Sequence, residues 1–206
     1  MQLYTTNVYE AGCDEAGRGC LAGPVFAAAV ILPAGYKNPI LRDSKTLSAK
    51  KRELMRREIE NDALAWSIGQ SGIDEIDSIN ILNASILAMH RALSKLSIQP
   101  WHILVDGNRF NRFGNIPHTC IIKGDSLFLS IAAASVLAKT YRDDFMNELH
   151  EKYPAYNWEA NKGYPTAFHA DALYHHGPSP WHRKSFRLKS AQTMINFPDT
   201  PCNTSD

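Results

Sequence analysis

A chain of 206 residues with 44% hydrophobic and 21% charged residues is long enough for one well-packed domain of ordinary globular composition. Its formal net charge of +1 excludes a global positive field, so nucleic-acid binding would need local basic patches. The longest apolar stretches, 21–32 and 127–138, are too short to span a bilayer, and the polar N-terminus does not resemble a signal peptide. The four cysteines lack CxxC spacing, which argues against a zinc site or disulfide framework and favours a reduced, cytoplasmic location.

The N-terminal third predicts a β-hairpin, a helix and a further strand. Val8–Cys13 and Val25–Leu32 are apolar runs typical of strands, and the glycines between them favour a tight loop and antiparallel pairing. Ser48 occupies an N-cap position before a charged, helix-favouring run that extends to about Asn61. Leu64–Gln70 is again typical of a strand.

The middle of the chain alternates between helical and strand patterns. Asn80–Leu96 has the apolar spacing of an amphipathic helix. Ile103–Val105 and Thr119–Ile122 are short apolar runs that end near aspartates, and Ser126–His150 predicts a long helix that is buried until about residue 138. The alternation predicts an α/β fold, a mixed sheet covered by helices.

From Tyr153 onward the composition shifts to aromatic residues, histidine and proline, and no strand pattern is present. Thr166–Tyr174 predicts a helix capped by Thr166. We therefore expect two parts: a sheet-containing domain over 1–152, and a small C-terminal helical appendage with a tail over 153–206.

Three separate apolar runs end in acidic residues, namely Asp14 with Glu15, Asp106, and Asp125. Carboxylates that converge beyond strand ends repel one another unless cations neutralise them, and paired Mg²⁺ or Mn²⁺ ions are the expected solution. Taken singly, each aspartate is more typical of a turn or a helix cap than of a metal site. Neighbouring strand residues point to opposite faces, so we expect β-structure to break between or just after Asp14 and Glu15 if both serve one site.

Several groups suit an anionic ligand. The loop Gly17-Arg18-Gly19 lets backbone approach phosphate closely. Ser135, Lys139 and Arg142 share a helical face, where they would contact either phosphate or acidic neighbours such as Asp143, and the sequence leaves both open. Two basic clusters are more typical of solvated surfaces: Lys45, Lys50, Lys51, Arg52, Arg56 and Arg57, and Arg183, Lys184, Arg187 and Lys189.

Six motifs occur in an order and spacing that resemble bacterial ribonuclease HII, a type 2 ribonuclease H, over about residues 12–186. They are Asp14-Glu15-Ala16-Gly17-Arg18-Gly19, Asp43-Ser44-Lys45, Val105-Asp106-Gly107, Lys123-Gly124-Asp125, the Ala-Ala-Ala-Ser run to Ser135, and Gly163-Tyr164-Pro165-Thr166. The resemblance implies a ribonuclease H-like fold with a central five-stranded mixed sheet flanked by helices and a small C-terminal helical part. It also implies that 1–152 is the ribonuclease H-like catalytic domain and that 153–206 completes the substrate site.

The resemblance also implies an activity, a metal-dependent endonuclease. Such enzymes cleave RNA in RNA–DNA hybrids and nick duplex DNA on the 5′ side of an embedded ribonucleotide, leaving a 3′-hydroxyl and a 5′-phosphate. The implied cofactors are two divalent metal ions, Mn²⁺ or Mg²⁺, during hydrolysis. The implied partners are nucleic acids of these two kinds, with no membrane, and the enzyme is expected to be a monomer.

By motif position, the resemblance assigns catalysis and metal binding to Asp14, Glu15, Asp106 and Asp125. The 2′-hydroxyl and adjacent phosphates would meet Gly17, Arg18 and Gly19, and Tyr164 would stack on the following deoxynucleotide sugar. Further phosphate contacts would come from Lys45, Ser135, Lys139 and Arg142. His169 is expected to be a helix or core histidine, and 192–197 matches a sliding-clamp-binding peptide only faintly, so clamp contact is not the favoured interpretation.

Three alternatives differ in testable ways. A 3′–5′ exonuclease with four carboxylates would lack the Gly-Arg-Gly loop and need a chain end. A non-catalytic hybrid-binding module would gain nothing from an acidic quartet that faces phosphates. A phosphate-loop nucleotidase is excluded because no GxxxxGK[ST] follows a strand.

Overall fold

The computed structural model describes residues 9–41 and 48–186. Its centre is a five-stranded mixed sheet in the order β3-β2-β1-β4-β5. The hairpin of β1 and β2 is antiparallel, as is the pair of β2 and β3, whereas β4 runs parallel to both β1 and β5. The strands are β1 Glu10–Ala16, β2 Val25–Ile31, β3 Ala65–Ser71, β4 His102–Asp106 and β5 His118–Ile121. The predicted fold class and opening hairpin are thus confirmed.

Helices cover both faces of the sheet, which is why β2 is buried along its whole length. They are α1 Ala49–Asp62, α2 Ile73–Ser94, α3 Leu129–Lys152, α4 Trp158–Asn161 and α5 Ala167–His176. Alternating alanines of β2 separate the two layers: Ala27 and Ala29 pack with α2, and Ala28 packs with α1 and α3. Such small side chains let helices approach a sheet closely on both faces.

Two predicted helix caps are confirmed by hydrogen bonds. The Ser48 side chain accepts from the Lys51 amide at the start of α1, and the Thr166 side chain accepts from the His169 amide at the start of α5. The predicted start at Asn80 is wrong for α2, which begins seven residues earlier at Ile73. Asn80 instead interrupts this helix with a φ of 65° and caps its second segment through its side-chain oxygen.

The long helix α3 crosses β1 at its closest point over Gly12. A Cβ atom built on this glycine would lie 2.1 Å from the Ser130 carbonyl carbon. No side chain fits that gap, so glycine sets the spacing between helix and sheet. The apolar first half of α3 is buried, as its sequence predicts.

The segment 153–186 packs α4 and α5 against the end of α3 and the loop after β1. Leu21 and Ala22 of that loop share an apolar cluster with Met146, Trp158 and Leu173. As predicted, this described segment forms no strand, and its only sheet-like contact is a bridge from His182 to Ala22. The domain division at residue 152 stays a prediction. Within the described ranges no helix is long and apolar enough to cross a membrane.

Candidate active site

Parallel strands bring two of the predicted acids side by side. The pairing of β1 with β4 ends at Cys13 and Val105. Asp14 and Asp106 are the next residue on each strand, so they occupy adjacent positions beyond the last paired residues. The carboxyl end of a parallel strand pair thus forms the floor of the candidate site, as is common for α/β sheets.

Asp14 is a buried carboxylate with 6% of its surface exposed. It accepts hydrogen bonds from the Glu15 amide at 2.7 Å and from the Ser135 hydroxyl. Burial raises the pKa of Asp14 well above its ordinary value, and the charges of Glu15 and Asp106 raise it further, although both hydrogen bonds oppose the shift. Asp14 is therefore held in an environment that penalises its own negative charge.

Glu15 joins the same electrostatic group from the neighbouring position on β1. Burial raises its pKa and Asp106 adds to the shift, while a 3.0 Å ion pair with Arg18 opposes it. The sequence requires a break between or just after the two acids, and the structure has it just after them: β1 stays paired through Ala16 and ends there, one residue after Glu15. Strand β4 ends at Asp106, and its pairing with β1 ends one residue earlier, at Cys13 and Val105. The end of β1 that carries Asp14 and Glu15 is therefore not paired with β4.

Asp125 lies beside this group in a 3-10 turn, Gly124–Ser126, that precedes α3. The turn is fixed to β4 because the Gly124 amide donates to Asp106 Oδ1 at 2.7 Å. Asp125 is 2% exposed, and the Ser126 hydroxyl lies 3.4 Å from its Oδ1. Asp125 therefore directly follows Gly124, the residue that contacts Asp106.

The residues present fit a divalent-cation site. The negative charges of Glu15 and Asp106 raise the pKa of Asp14, and that of Asp106 also raises the pKa of Glu15. A bound cation would offset this repulsion between the carboxylates. Oxygen donors of this type suit Mg²⁺ and Mn²⁺. Among residues 9–41 and 48–186, however, no three side chains of His, Cys, Asp or Glu already surround one point as a closed cage. The acids are neighbours that a cation would have to draw together.

The loop after β1 contains two glycines with different structural demands. Gly17 has a φ of +97°, and a Cβ atom there would lie 2.0 Å from Arg142 Nε. Gly19 has no unusual φ, and a Cβ atom there would meet nothing within 4 Å. The fold requires glycine at the first position only, so the second is free to serve a ligand.

We expect Gly17→Ala and Gly19→Ala to separate folding from function. Gly17→Ala should lower the free energy of unfolding by about 2 kcal/mol, because alanine is strained at this φ and meets a buried arginine. Gly19→Ala should change the free energy of unfolding by less than ~0.5 kcal/mol, because the added methyl group meets no protein atom. It should nevertheless slow cleavage of a ribonucleotide-containing duplex by roughly tenfold, because the methyl group would occupy the exposed side of the loop, where the ligand is expected. Urea unfolding and a nicking assay measure the two effects. A fully active Gly19→Ala enzyme would contradict the assignment.

Arg142 does not have the expected phosphate contact in this arrangement. It is 1% exposed, and its guanidinium donates to three carbonyl oxygens, those of Ala22, Pro24 and Lys162. The interpretation of the second basic cluster as solvated surface is wrong for Arg183, which is equally buried. Sequence gives no signal for either role, because a buried arginine bound to carbonyls needs no acidic partner nearby in the chain.

The remaining predicted phosphate contacts have mixed outcomes. Ser135 faces the site through its bond to Asp14. Lys139 pairs with Asp143 at 2.5 Å, the local alternative that the sequence had left open. Asp143 also lies 3.8 Å from Arg52 of the first basic cluster. Lys45 lies outside the described residues.

Tyr164 is 40% exposed at the edge of the appendage, where its backbone is fixed by a buried histidine pair. His169 Nδ1 faces the Tyr164 carbonyl at 2.9 Å and must carry a proton there. His169 Nε2 then accepts from Trp158 Nε1 at 3.1 Å and from His182 Nε2 at 3.0 Å. His182 Nδ1 in turn accepts from the Ser179 amide at 2.9 Å. His169 is thus a fully buried core histidine, as expected.

This histidine pair predicts a loss of stability in acid. Burial and the nearby His169 lower the pKa of His182 from 6.5 to about 3. Between these values the unfolded chain binds the extra proton, so stability is complete above pH 6.5 and falls as the pH approaches 3. We expect His182 to contribute a loss on the order of 3 kcal/mol between pH 7 and pH 4. Urea unfolding across this range should give a flatter pH profile for His182→Gln, and the wild-type profile for the exposed His175→Gln. A wild-type profile for His182→Gln would contradict the prediction.

The sequence and the structure both have close relatives. A family model described as Ribonuclease HII matches residues 11–192. A curated ribonuclease HII of Bacteroides thetaiotaomicron is 60% identical over 192 residues, which cover 93% of this chain and 96% of that protein.

Among solved structures, the Archaeoglobus fulgidus ribonuclease HII in a complex with PCNA superposes with a TM-score of 0.74 at 21% identity, covering 92% of this chain and all of that one. Bst-RNase HIII in complex with Mn²⁺ gives a TM-score of 0.66 at 19% identity, covering 84% of this chain and 64% of that one. These two likenesses support the fold.

Proposed function

The chain belongs to the ribonuclease HII family, and on that premise we propose that it nicks duplex DNA on the 5′ side of an embedded ribonucleotide. Like its family, it is a nuclease that hydrolyses phosphodiester bonds in the RNA of RNA–DNA hybrids. The proposed products carry a 3′-hydroxyl and a 5′-phosphate. The proposed reaction uses two divalent cations.

The observation that carries the proposal is that one strand end holds both the acids and the loop. Asp14 and Glu15 lie in the last three residues of β1, which ends at Ala16, and Gly17 follows two residues after Glu15. Two extended residues span about 7 Å, so a sugar held at the loop keeps its phosphodiester within reach of the carboxylates. Recognition and cleavage are thereby coupled through one short backbone segment.

Recognition of the 2′-hydroxyl explains why a loop with open backbone matters. This hydroxyl is both donor and acceptor and is the group that distinguishes RNA from DNA. A site built to hydrogen-bond it rejects a deoxynucleotide strongly, because buried polar groups would then be unpaired. The open position at Gly19 would let backbone groups reach the hydroxyl where a side chain would collide.

Asp14, Glu15, Asp106 and Asp125 would hold the cations, Mg²⁺ or Mn²⁺. When bound, these ions supply neutralisation of charge on the phosphate and activation of water. The chain's own contribution is orientation. Ser135 fixes the Asp14 carboxylate, Arg18 holds Glu15, and the Gly124 amide holds Asp106. Asp14, Glu15 and Asp106 therefore each have a hydrogen-bond partner that limits the movement of the carboxylate while the substrate is in place.

The cleavage assay compares three substrates of one sequence: a duplex with one internal ribonucleotide, an all-DNA duplex, and an RNA–DNA hybrid. We expect one nick in the first, none in the second, and several cuts in the third, with both Mg²⁺ and Mn²⁺ tested. An exonuclease would instead shorten the strands from an end, and a binding module would leave all three intact. Either result would refute the proposed activity.

Tyr164→Ala tests the proposed junction contact. The exposed ring would stack on the deoxynucleotide sugar that follows the ribonucleotide, so we expect single-ribonucleotide nicking to fall roughly tenfold and hybrid cleavage to fall less. Tyr164→Phe should retain the difference between substrates, because stacking needs only the ring. The measurement is the kcat/KM of each variant relative to wild type, on the single-ribonucleotide duplex and on the RNA–DNA hybrid. Equal losses in the alanine variant would argue against a junction sensor.

We further propose that the enzyme acts as a monomer in the reduced cytoplasm. Cys13, Cys20 and Cys120 are free thiols, which suits that compartment. PCNA accompanies the Archaeoglobus protein, but 192–197 of this chain lies outside the described residues and its match to a clamp-binding peptide is faint, so no clamp contact is proposed. Size-exclusion chromatography with light scattering measures the oligomeric state.

A further inference from the structure

Arg183 is a buried residue whose described side-chain hydrogen bonds all go to the loop after β1. Its NH2 group donates to Gly17 O at 2.7 Å and its NH1 group to Arg18 O at 3.0 Å. Nε and NH2 both donate to Gly23 O, at 2.9 and 2.8 Å. The planar guanidinium of Arg183 therefore connects Gly17 and Arg18, at the start of the loop, with Gly23 near its end.

These bonds determine where the loop amides point. In a trans peptide the C=O group and the following N–H group point in opposite directions, and the chain has no cis peptide among its described residues. Because Gly17 O and Arg18 O face the buried Arg183, the amides of Arg18 and Gly19 point away from it. Within the described part of the chain neither amide donates a hydrogen bond, and both residues are exposed.

The loop also rests on positive charge. The Arg142 side chain lies next to Gly17, where an added Cβ atom would be 2.0 Å from its Nε, and its guanidinium likewise donates to carbonyl oxygens. Burial lowers the pKa of Arg183 to about 10, so it remains protonated at neutral pH. Buried cations bound only to carbonyls are costly. An anion on the outer side of the loop, such as a phosphodiester, would be attracted by both.

We propose that Arg183 is a positioning residue for ribonucleotide selection, which holds the amides of Arg18 and Gly19 outward to meet the ribose and its phosphate. The inference rests on the proposed function, because it names the residue that gives the reading loop its shape. Arg183 touches no substrate itself. It acts through two carbonyls, and its charge and its fork-like geometry contribute separately.

Two substitutions separate charge from geometry. Arg183→Lys keeps the positive charge but cannot hold three carbonyls with one planar group, whereas Arg183→Gln removes the charge as well. The measurement is the dissociation constant, by fluorescence anisotropy in EDTA, for a duplex with one internal ribonucleotide and for an all-deoxy duplex of the same sequence. The readout is the ratio of the two constants, since general misfolding would weaken both.

We expect Arg183→Lys to lower the preference for the ribonucleotide duplex roughly tenfold, with less than a threefold change for the all-deoxy duplex. Arg183→Gln should lower the preference similarly and weaken both duplexes by a further several-fold. The matched control is Arg91→Lys, which removes an arginine of α2 that binds Glu75 and the Gln70 carbonyl of β3 rather than the carbonyls of the loop after β1. Its preference should equal that of the wild type.

A second variant, Asp77→Ala, changes the support of the segment that carries Arg183 and leaves the arginine itself in place. Asp77 of α2 accepts from the amides of Lys184 and Ser185 at 2.9 Å and so holds the segment that carries the arginine. These bonds are exposed, so Asp77→Ala should fold, and we expect it to reduce the ribonucleotide preference by about threefold.

The outcomes are distinct. Wild-type preference in both Arg183→Lys and Asp77→Ala, or equal weakening of both duplexes, would overturn the positioning role. If wild-type protein neither prefers nor nicks the ribonucleotide duplex, the proposed function itself fails. If Arg183→Lys does not fold, Asp77→Ala alone decides between these results.

Discussion

Asp14→Asn is expected to abolish cleavage while making the metal-free protein more stable. Cleavage of the single-ribonucleotide duplex should fall by on the order of 10³-fold or more, because the amide cannot replace a carboxylate toward a divalent cation. Binding of the uncut duplex should change little, since the substituted group faces the acids. The free energy of unfolding of the metal-free protein should rise at pH 7.

The sign of the stability change follows from the pKa of Asp14. Its folded value lies well above the ordinary 3.8 because of burial and two neighbouring carboxylates. Stability from such a group is complete below the unfolded pKa and is lost as pH rises through the folded one. Neutral pH is therefore unfavourable for Asp14, and asparagine removes the penalty. Added Mn²⁺ should raise the melting temperature of the wild type more than that of the variant.

Glu10→Gln provides the matched control. Glu10 is a buried acid four residues earlier on β1, where it accepts from the Ser130 hydroxyl at 3.2 Å. Its neutralisation should leave cleavage and the Mn²⁺-dependent stabilisation unchanged. Full activity of Asp14→Asn, or equal effects of the two substitutions, would refute the assignment of Asp14 to the cation site.

Gly12→Ala is expected to give the largest loss of stability of any single methyl addition considered. The new Cβ atom would lie within 2.4 Å of three backbone atoms of Ser130 and Ile131. Backbone cannot rotate away as a side chain does, so α3 would have to lift from β1. We expect the free energy of unfolding to fall by about 3 kcal/mol or more.

Urea unfolding measures this effect, with Gly19→Ala as the control in which the added methyl group meets nothing within 4 Å. Because α3 carries Ser135, lifting the helix should also weaken cleavage more than the stability loss alone would cause. A Gly12→Ala protein as stable as the wild type would mean that α3 and β1 are not in the close contact described.

The acidic residues could be identified from the sequence, but their arrangement could not. Apolar runs that end in Asp14, Asp106 and Asp125 predict strand ends, and the antiparallel hairpin, the helix caps and the buried half of α3 follow from local patterns. The pairing of β1 with β4 joins residues about ninety positions apart, so no local pattern contains it. The sequence also left open whether β1 breaks between the two acids or just after them, and only the structure places its end at Ala16, one residue after Glu15.

By itself, the sequence determined the fold class and predicted the four acids and the Gly17-Arg18-Gly19 loop, because each depends on short-range periodicity or on a motif of a few adjacent residues. Only the tertiary structure decided that Arg142 and Arg183 lie beneath the loop and that Lys139 pairs with Asp143. A basic side chain looks the same in sequence whether it meets water, a carboxylate or a carbonyl. Its partner is chosen by packing between distant segments, and here that packing shapes the loop after β1.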